Sequence, residues 1–497
     1  KTFLGNSNIE DERMFSLFSR LNYGYADKYM LTASMRADGS SKFGTNHKYG
    51  YFPALALMWR MNRELFMENV SFISDFRWRF SLGTSGNNRI PNYSSLALFA
   101  TGNYPLNDGN TVTVYPNVLP NPDLKWEQTT SKNIGLDLGF LKQRIQLTTD
   151  YYLNKTKDLL LRSDIPTTTG FKTMFINAGS TQNKGLEITL NTVNVRKKDF
   201  EWSSSFNIAF NKNKVLGLTG GSDIMYAQSG WGVLTVADYL IQVGQPLGQM
   251  YGYKSDGLYQ VSDFDYNETT RVYTLKPGIP YDVNNRPQPG FLKLVDVSGD
   301  TLINENDRVV IGNAYPKHTG GFNNSFRYKG LDLNIFVSWS FGNDIYNANK
   351  LYNSQTYLDY RNTLSYISNR WMSVDKNTGA RITDPAVLNE MNKGKTIPVY
   401  NGSGTSLKFY DQMVEDGSFL RLSNINLGYT LPKRIAAKVK ASGLRVYVTA
   451  NNIYTFTKYT GYDPEVSTRN STGLTPGVDF GAYPRTRSFV IGANLSL

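Results

Sequence analysis

The chain has 497 residues, no cysteine, two histidines and an aromatic content of 13% led by 33 tyrosines and 27 phenylalanines. That excludes a disulfide framework or a cysteine-based metal site and favours strands and turns over helices. The formal charge is +12, but Lys and Arg are spread along the chain rather than gathered in a run, which speaks against a nucleic-acid partner. No apolar run approaches the roughly 18 residues of a spanning helix, so a helical membrane protein is excluded.

What remains is a sequence of alternating strands. Phe15, Leu17, Leu21, Tyr23 and Tyr25 alternate with Ser16, Arg20, Asn22 and Gly24; after the short turn at 26–28, Tyr29, Leu31, Ala33 and Met35 resume the alternation. Tyrosines flanking a hairpin turn fit an aromatic girdle at a membrane interface. Leu55, Leu57, Trp59 and Met61 share a face of the next strand, and then Phe76, Trp78, Phe80 and Leu82 alternate with Arg77, Arg79, Ser81 and Gly83. An arginine pair opposite an aromatic face is costly inside a sandwich but natural where one face meets water, so the aromatics are expected to face lipid and the arginines the lumen. A polar excursion over 85–125 leads to Ile134, Leu136 and Leu138, a short turn at 141–143, and Ile145, Leu147, Tyr151 and Leu153. Ile188 and Leu190 run into the turn at 196–198, returning as Trp202, Phe206, Ile208 and Phe210.

The longest excursion covers 220–317 and precedes a strand at 321–328, the turn Lys329-Gly330 and a strand carrying Leu331, Leu333, Ile335, Val337, Trp339 and Phe341. The loop 342–417 holds Tyr346, Tyr352, Tyr357, Tyr360 and Tyr366. In the strand at 418–429 the apolar parity changes between Leu422 and Ile425, which predicts a β-bulge near Ser423-Asn424. The basic stretch PKRIAAKVKASG, opened by Pro432 and stopped by Gly443, is the one segment with helical spacing. A strand with Leu444, Val446, Val448 and Ala450, a loop at 455–484 and the terminal strand SFVIGANLSL, with Phe489, Ile491, Ala493, Leu495 and Leu497 on one face, complete the chain.

The reading gives an all-β fold: a transmembrane antiparallel β-barrel in which short turns at one rim alternate with long extracellular loops at the other. About thirteen strands are of membrane length, near the roughly 9–11 residues a tilted strand needs. With an odd number the first and last strands run the same way and cannot pair antiparallel. Further strands are therefore expected before Lys1, and the opening residues 1–5, without an initiator Met or apolar signal core, fit a chain that begins inside a longer one.

Several stretches resemble the SusC/RagA family of TonB-dependent outer-membrane transporters. They are NPDLKWEQTTSKNIGLDLGFL with DYYLNKTKDLLL, NAGSTQNKGLEITL, GQPLGQMYGYKSDGLYQ, DRVVIGNAYPKHTGGFNNSFRYKGLDL, VEDGSFLRLSNINLGYTLPK, YTGYDPEV and YPRTRSFVIGANLSL. The resemblance covers nearly the whole chain, in the family's order. It implies that residues 1–497 form the C-terminal part of a roughly 22-stranded barrel, with the plug domain and the N-terminal strands outside this chain. It also implies the outer membrane of a Gram-negative, Bacteroidota-like bacterium, energy from TonB through the plug, and a SusD-like surface lipoprotein as a lid. The chain ends in Leu497, where the family's usual assembly signal ends in an aromatic.

Asp296, Ser298, Asp300, Leu302 and Asp307 resemble an EF-hand-type calcium loop, with oxygen ligands at positions one, three, five and twelve and a backbone carbonyl at seven. The turn position that takes Gly is Thr301, and the last ligand is Asp rather than Glu. The same residues also read as an acidic turn without metal. His47 and His318 have no nucleophile near them in sequence, and no serine elbow, metalloprotease pair or phosphate loop occurs, so no enzyme is expected. The function expected is TonB-coupled import of a bulky nutrient, an oligosaccharide or oligopeptide; the alternative is a passive porin or an adhesin barrel. Loops as long as 220–317 and 342–417 are usually functional, and their aromatics would expose an apolar patch unless the lid covered them.

Overall fold

The computed structural model describes residues 9–496 except 107–108, 172, 219–221, 232–235, 356–361, 400–407 and 470–472. Of the positions named above, residues 1–5, Gly220, Tyr357, Tyr360 and Leu497 lie outside the described residues.

Thirteen strands form one sheet in strict chain order. They are β1 (Met14–Tyr25), β2 (Tyr29–Ser40), β3 (Tyr49–Arg60), β4 (Ile73–Asn87), β5 (Glu127–Phe140), β6 (Ile145–Lys157), β7 (Ser180–Arg196), β8 (Phe200–Gly217), β9 (His318–Tyr328), β10 (Leu331–Phe341), β11 (Phe419–Thr430), β12 (Gly443–Thr457) and β13 (Ser488–Ser496). Each neighbouring pair is antiparallel, and among the described residues β1 pairs only with β2 and β13 only with β12. The sheet is open, as the odd strand count requires of an antiparallel meander. At the β9–β10 turn Lys329 and Gly330 both take positive φ, 47° and 99°, the two-residue geometry whose twist matches the flanking strands.

Register carries the alternation across the wall. One row runs Tyr23, Leu31, Leu57, Phe80, Ile134, Tyr151, Leu186 and Phe210 over eight strands. The row beside it, on the other face, runs Asn22, Thr32, Ala56, Ser81, Asn133, Tyr152, Gly185 and Asn211. The apolar row points away from protein: Phe80 is 42% and Ile491 of β13 85% exposed, values that no aqueous β-sheet would tolerate along its whole length but that lipid makes favourable. Near the short-turn rim this face carries stacked aromatics, Tyr25 on Tyr29, Tyr29 on Trp59 and Trp202 on Phe326, the girdle read from the tyrosines around the first turn.

The bulge in β11 lies where the parity change puts it. Leu422 pairs with Val337 and Asn424 with Phe336, leaving Ser423 unpaired in the ladder, and its hydroxyl meets that of Ser338 at 2.7 Å. The basic stretch is helical at Lys433–Ala436 and continues as a 3-10 turn at Ala437–Val439. It stops three residues earlier than expected: Lys440 takes the left-handed conformation, φ 60°, and Gly443 already belongs to β12.

The long loops are folded. Strands Ile224–Ala227, Tyr239–Gln242, Gln249–Gly252 and Val309–Asn313 form a four-stranded sheet outside the membrane wall. Two helices, Ala348–Gln355 and Pro385–Met391, lie in the loop after β10, correcting the expectation that the basic stretch is the one helix. The second carried a readable signal: Asp384 caps it, accepting from the Val387 N–H at 3.0 Å, with Pro385 at its first position. Trp231, Tyr239, Met250, Tyr346, Leu351, Phe409 and Val478 pack into one core drawn from the three loops after β8, β10 and β12. Leu258, Phe264, Tyr273, Trp371 and Leu388 make a second. Tyr346 is fully buried, and Tyr352 packs against the first core. Among the described residues, Tyr346 and Tyr352 thus belong to a core rather than to an exposed patch, because apolar area is removed from water more fully in a shared core than at a loop tip, whereas Tyr226, Tyr462 and Tyr483 remain exposed.

Candidate functional site

The inward face of the wall carries paired charges. Arg79 reaches Asp137 at 2.9 Å and Asp150 at 2.9 Å, and Arg77 reaches Asp75 at 2.7 Å. Gly135 lies on β5 between Arg79 and Asp150, and a Cβ there would stand 2.6 Å from each; only glycine lets the guanidinium cross that strand. Further round, Arg445 grips Asp332 through Nε at 3.0 Å and Nη2 at 2.5 Å. Both arginines of β4 therefore face the lumen, and on the opposite face Trp78 stacks on Phe80 and lies tilted against Phe76, as the alternation requires.

At the extracellular end of β9–β11 the wall meets the last loop. Arg421 is 2% exposed and donates to Thr455 at 2.9 Å, Asp463 at 2.6 Å and Glu465 at 3.0 Å, while its guanidinium covers the Phe419 ring. A buried arginine is tolerable only with its donors filled, and here two carboxylates of the segment YTGYDPEV fill them. Glu415 receives the N–H of Thr460 at 2.8 Å and the Lys350 ammonium at 3.1 Å. Burial pushes the Glu415 carboxyl up, but these donors outweigh it and hold it below the usual range. The stretches VEDGSFLRL and YTGYDPEV, far apart in sequence, are thus bolted together by Glu415 and Arg421. Between this bolt and the wall lies a cleft of ≈ 450 Å³ bordered by Thr319, Ser338, Ser340, Phe419, Glu465 and Ser467. Pro316, Trp339, Pro464 and Val466 also line it, so hydroxyls and one carboxylate are set in a largely apolar lining, a mixture that suits an oligomeric ligand segment. Arg421, Asp463 and Glu465 were not singled out from sequence; the available signal was an arginine at an inward-facing position of a strand.

The residues of the EF-hand-type reading lie in one turn, but they do not form a cage. Asp296 accepts from the N–H groups of Gly299 at 2.7 Å and Thr301 at 2.8 Å, and Asp300 from that of Leu302 at 2.8 Å. Asp307, fully buried, accepts from Val297, Ser298 and Asn304. Burial opposes ionisation of Asp307, yet the Asn304, Ser298 and Val297 donors hold its carboxyl below the usual range. Among the described residues no three His, Cys, Asp or Glu side chains are grouped to hold a metal. The carboxylates accept from backbone donors within the turn and are not gathered round one centre. His318 opens β9, stacked on Phe341 and accepting from Trp339 Nε1 at 3.2 Å, and His47 lies in a loop.

A sheet apolar outside and charged inside, with folded loops at one rim and short turns at the other, defines a transmembrane β-barrel of the outer-membrane kind. The family model described as "TonB dependent receptor-like, beta-barrel" matches residues 3–453. The chain belongs to this family, whose members lie in the outer membrane. It is 33% identical to the TonB-dependent receptor P3 of Formosa agariphila, over 99% of this chain and 46% of that protein. It is 31% identical to the TonB-dependent receptor SusC of Bacteroides thetaiotaomicron, over 97% of this chain and 43% of that one. It superposes on a chain of the RagAB peptide transporter with a TM-score of 0.75 and 27% identity, over 97% of this chain and 48% of that one. The chain spans about half the length of the curated relatives it matches.

Proposed function

We propose that this chain forms wall and extracellular vestibule of a TonB-coupled importer for a bulky nutrient, an oligopeptide or oligosaccharide, with a SusD-like surface lipoprotein as lid and TonB acting through a plug. The observation that carries this reading is the pairing of a charged inner wall with a folded extracellular cap that holds a cleft of mixed polar and apolar lining beside Phe419 and Arg421. The likeness to SusC and to the RagAB peptide transporter favours energised import of an oligomer over a passive pore. Tyr346 and Tyr352 lend the lid no support, since they are packed in a loop core; support comes from that likeness. No catalytic group is needed for this work, and the cleft asks only for binding and release. The test is uptake of labelled oligopeptides and oligosaccharides by cells carrying or lacking the gene, with and without a protonophore. Gene-dependent accumulation that the protonophore abolishes, with a lipoprotein co-purifying, is expected. Accumulation indifferent to the protonophore would make the barrel a passive porin.

A further inference from the structure

The short connections at the periplasmic rim divide into two unlike arcs. Between β1 and β4 the connections neutralise themselves: Lys28 pairs with Glu64 at 3.1 Å and Arg63 with Asp27 at 3.6 Å. Glu64 also accepts from Tyr29 at 2.6 Å and Trp59 at 3.0 Å. The bonds from Tyr29, Trp59 and Lys28 hold its carboxyl down at about 2.

From β5 to β12 the pattern changes. Lys142 and Arg144 stand in the first turn of this arc, Lys197 and Lys198 in the next, Lys329 in the third, and Lys433, Arg434, Lys438 and Lys440 in the last; against these nine cations the four connections hold one carboxylate, Asp199. All nine cations are exposed. Arg144 donates to the carbonyls of Val193 and Asn194, and Lys329 lies over the Tyr328 ring. Among the described residues, none of the nine has a carboxylate within ion-pair distance.

Apolar side chains stand among the cations. Leu141 is 53% exposed, and Ile435, flanked by Lys433 and Arg434, is 46% exposed. Tyr328, Leu331, Tyr429 and Val446 follow them on the outward face of the adjoining strand ends. Successive hairpin turns lie about 10 Å apart along such a rim, so the cations form a band rather than a point. Basic groups interleaved with outward apolar ones, at the level where the wall leaves the hydrocarbon, match a headgroup layer: phosphates meet the cations while acyl carbon covers Ile435 and Leu141. An acidic soluble protein would satisfy the charges and leave the outward apolar groups bare.

We infer that the periplasmic rim from β5 to β12 is a binding surface for anionic phospholipid headgroups of the inner leaflet, and that the β1–β4 arc is not. The test is to release the native transporter from nanodiscs of phosphatidylethanolamine doped with phosphatidylglycerol and count the retained lipids by native mass spectrometry. Wild type is compared with a variant carrying Lys433→Gln, Arg434→Gln, Lys438→Gln and Lys440→Gln, and with one in which the three lysines become arginine. Each basic side chain at an anionic surface is worth about a fivefold bias, so wild type retains phosphatidylglycerol several-fold above its bulk share, the arginine variant keeps this enrichment and the glutamine variant loses most of it. Added salt weakens it too, because the contact is exposed. Phosphatidylglycerol at its bulk share in wild type overturns the inference, as does equal enrichment in the glutamine variant. Loss from that variant of a periplasmic protein rather than of lipid also overturns it. Should the glutamine variant fail to assemble, wild type decides alone: salt-sensitive enrichment supports the surface and a bulk share refutes it.

Discussion

The membrane wall and the extracellular loops obey opposite rules. In the wall, large apolar side chains such as Phe489, at 72%, are exposed and the charges Arg79, Asp137 and Arg445 turn inward. In the loops, Trp231, Tyr239 and Tyr346 are fully buried, as in a water-soluble domain. The wall is held by backbone ladders and by the lipid that covers it, the loops by cores of their own. One chain therefore contains two stability problems, and a substitution should act on one without touching the other.

The sharpest break in that comparison is Trp231→Ala. Truncating a fully buried aromatic costs about 3–5 kcal/mol. The loops after β8, β10 and β12 should become protease-sensitive in outer membranes while the wall stays heat-modifiable on gels; loss of the wall as well would mean the two regions fold as one. Next comes Arg421→Ala, which removes the guanidinium from the buried Asp463, while Glu465 keeps Arg485 at 2.5 Å. Breaking a buried ion pair costs about 3–5 kcal/mol, at the lower end here because Glu465 is 42% exposed. Hydrogen exchange should rise in 458–487 but not in β11, and Arg421→Met combined with Asp463→Leu should recover part of the loss. In the wall, Ile188→Arg puts a charge toward lipid at a cost of about 2–4 kcal/mol, whereas Thr189→Arg, one residue on and facing the lumen, should fall within about 0.5 kcal/mol of wild type. Equal effects would deny the two-faced register.

A pH experiment separates the regions more gently. Asp238 is buried in the loop core and its carboxyl is pushed up to about 6, burial outweighing its bonds from Ser229 and the nearby Arg308. A carboxyl raised in the folded state contributes stability at acid pH that is lost as pH rises through its folded value. The loops should therefore weaken between pH of about 4 and about 6, by on the order of 3 kcal/mol. Asp238→Asn should flatten that dependence, and a wild-type loop transition that strengthens over the same window would contradict the assignment. The smallest effect expected is none: calcium and chelators should leave loop stability unchanged, because Asp296 and Asp307 are engaged by backbone donors. A calcium-dependent rise in Tm that Asp300→Asn abolishes would restore the metal reading.

Much of the wall was legible in the sequence because a period of two states directly which side chains share a face. The strand count, the inward Arg77 and Arg79, and the bulge at Ser423 all follow from parity. The loops were not legible in the same way. Their cores join Trp231 to Tyr346, Phe409 and Val478 across three separate segments, and no local period encodes contacts made at such range. Two of the tyrosines that read as an exposed patch, Tyr346 and Tyr352, belong to that core. The acidic turn shows the converse limit: oxygen spacing in sequence matched a cation loop, while the fold used the same oxygens to accept from backbone. The bolt at Arg421 sat inside stretches already marked by resemblance, but its carboxylate partners are 42 and 44 residues away.

The central claim, a wall crossing the outer membrane with the long loops outside and the short turns in the periplasm, can be tested with single cysteines, since the chain has none of its own. Tyr462→Cys and Val297→Cys lie at exposed positions of two different loops, and Lys198→Cys lies in a short turn. A membrane-impermeant maleimide added to intact cells should label the first two and should reach Lys198→Cys only after the outer membrane is opened. Labelling of Lys198→Cys on intact cells, with the loop cysteines protected, would contradict the account.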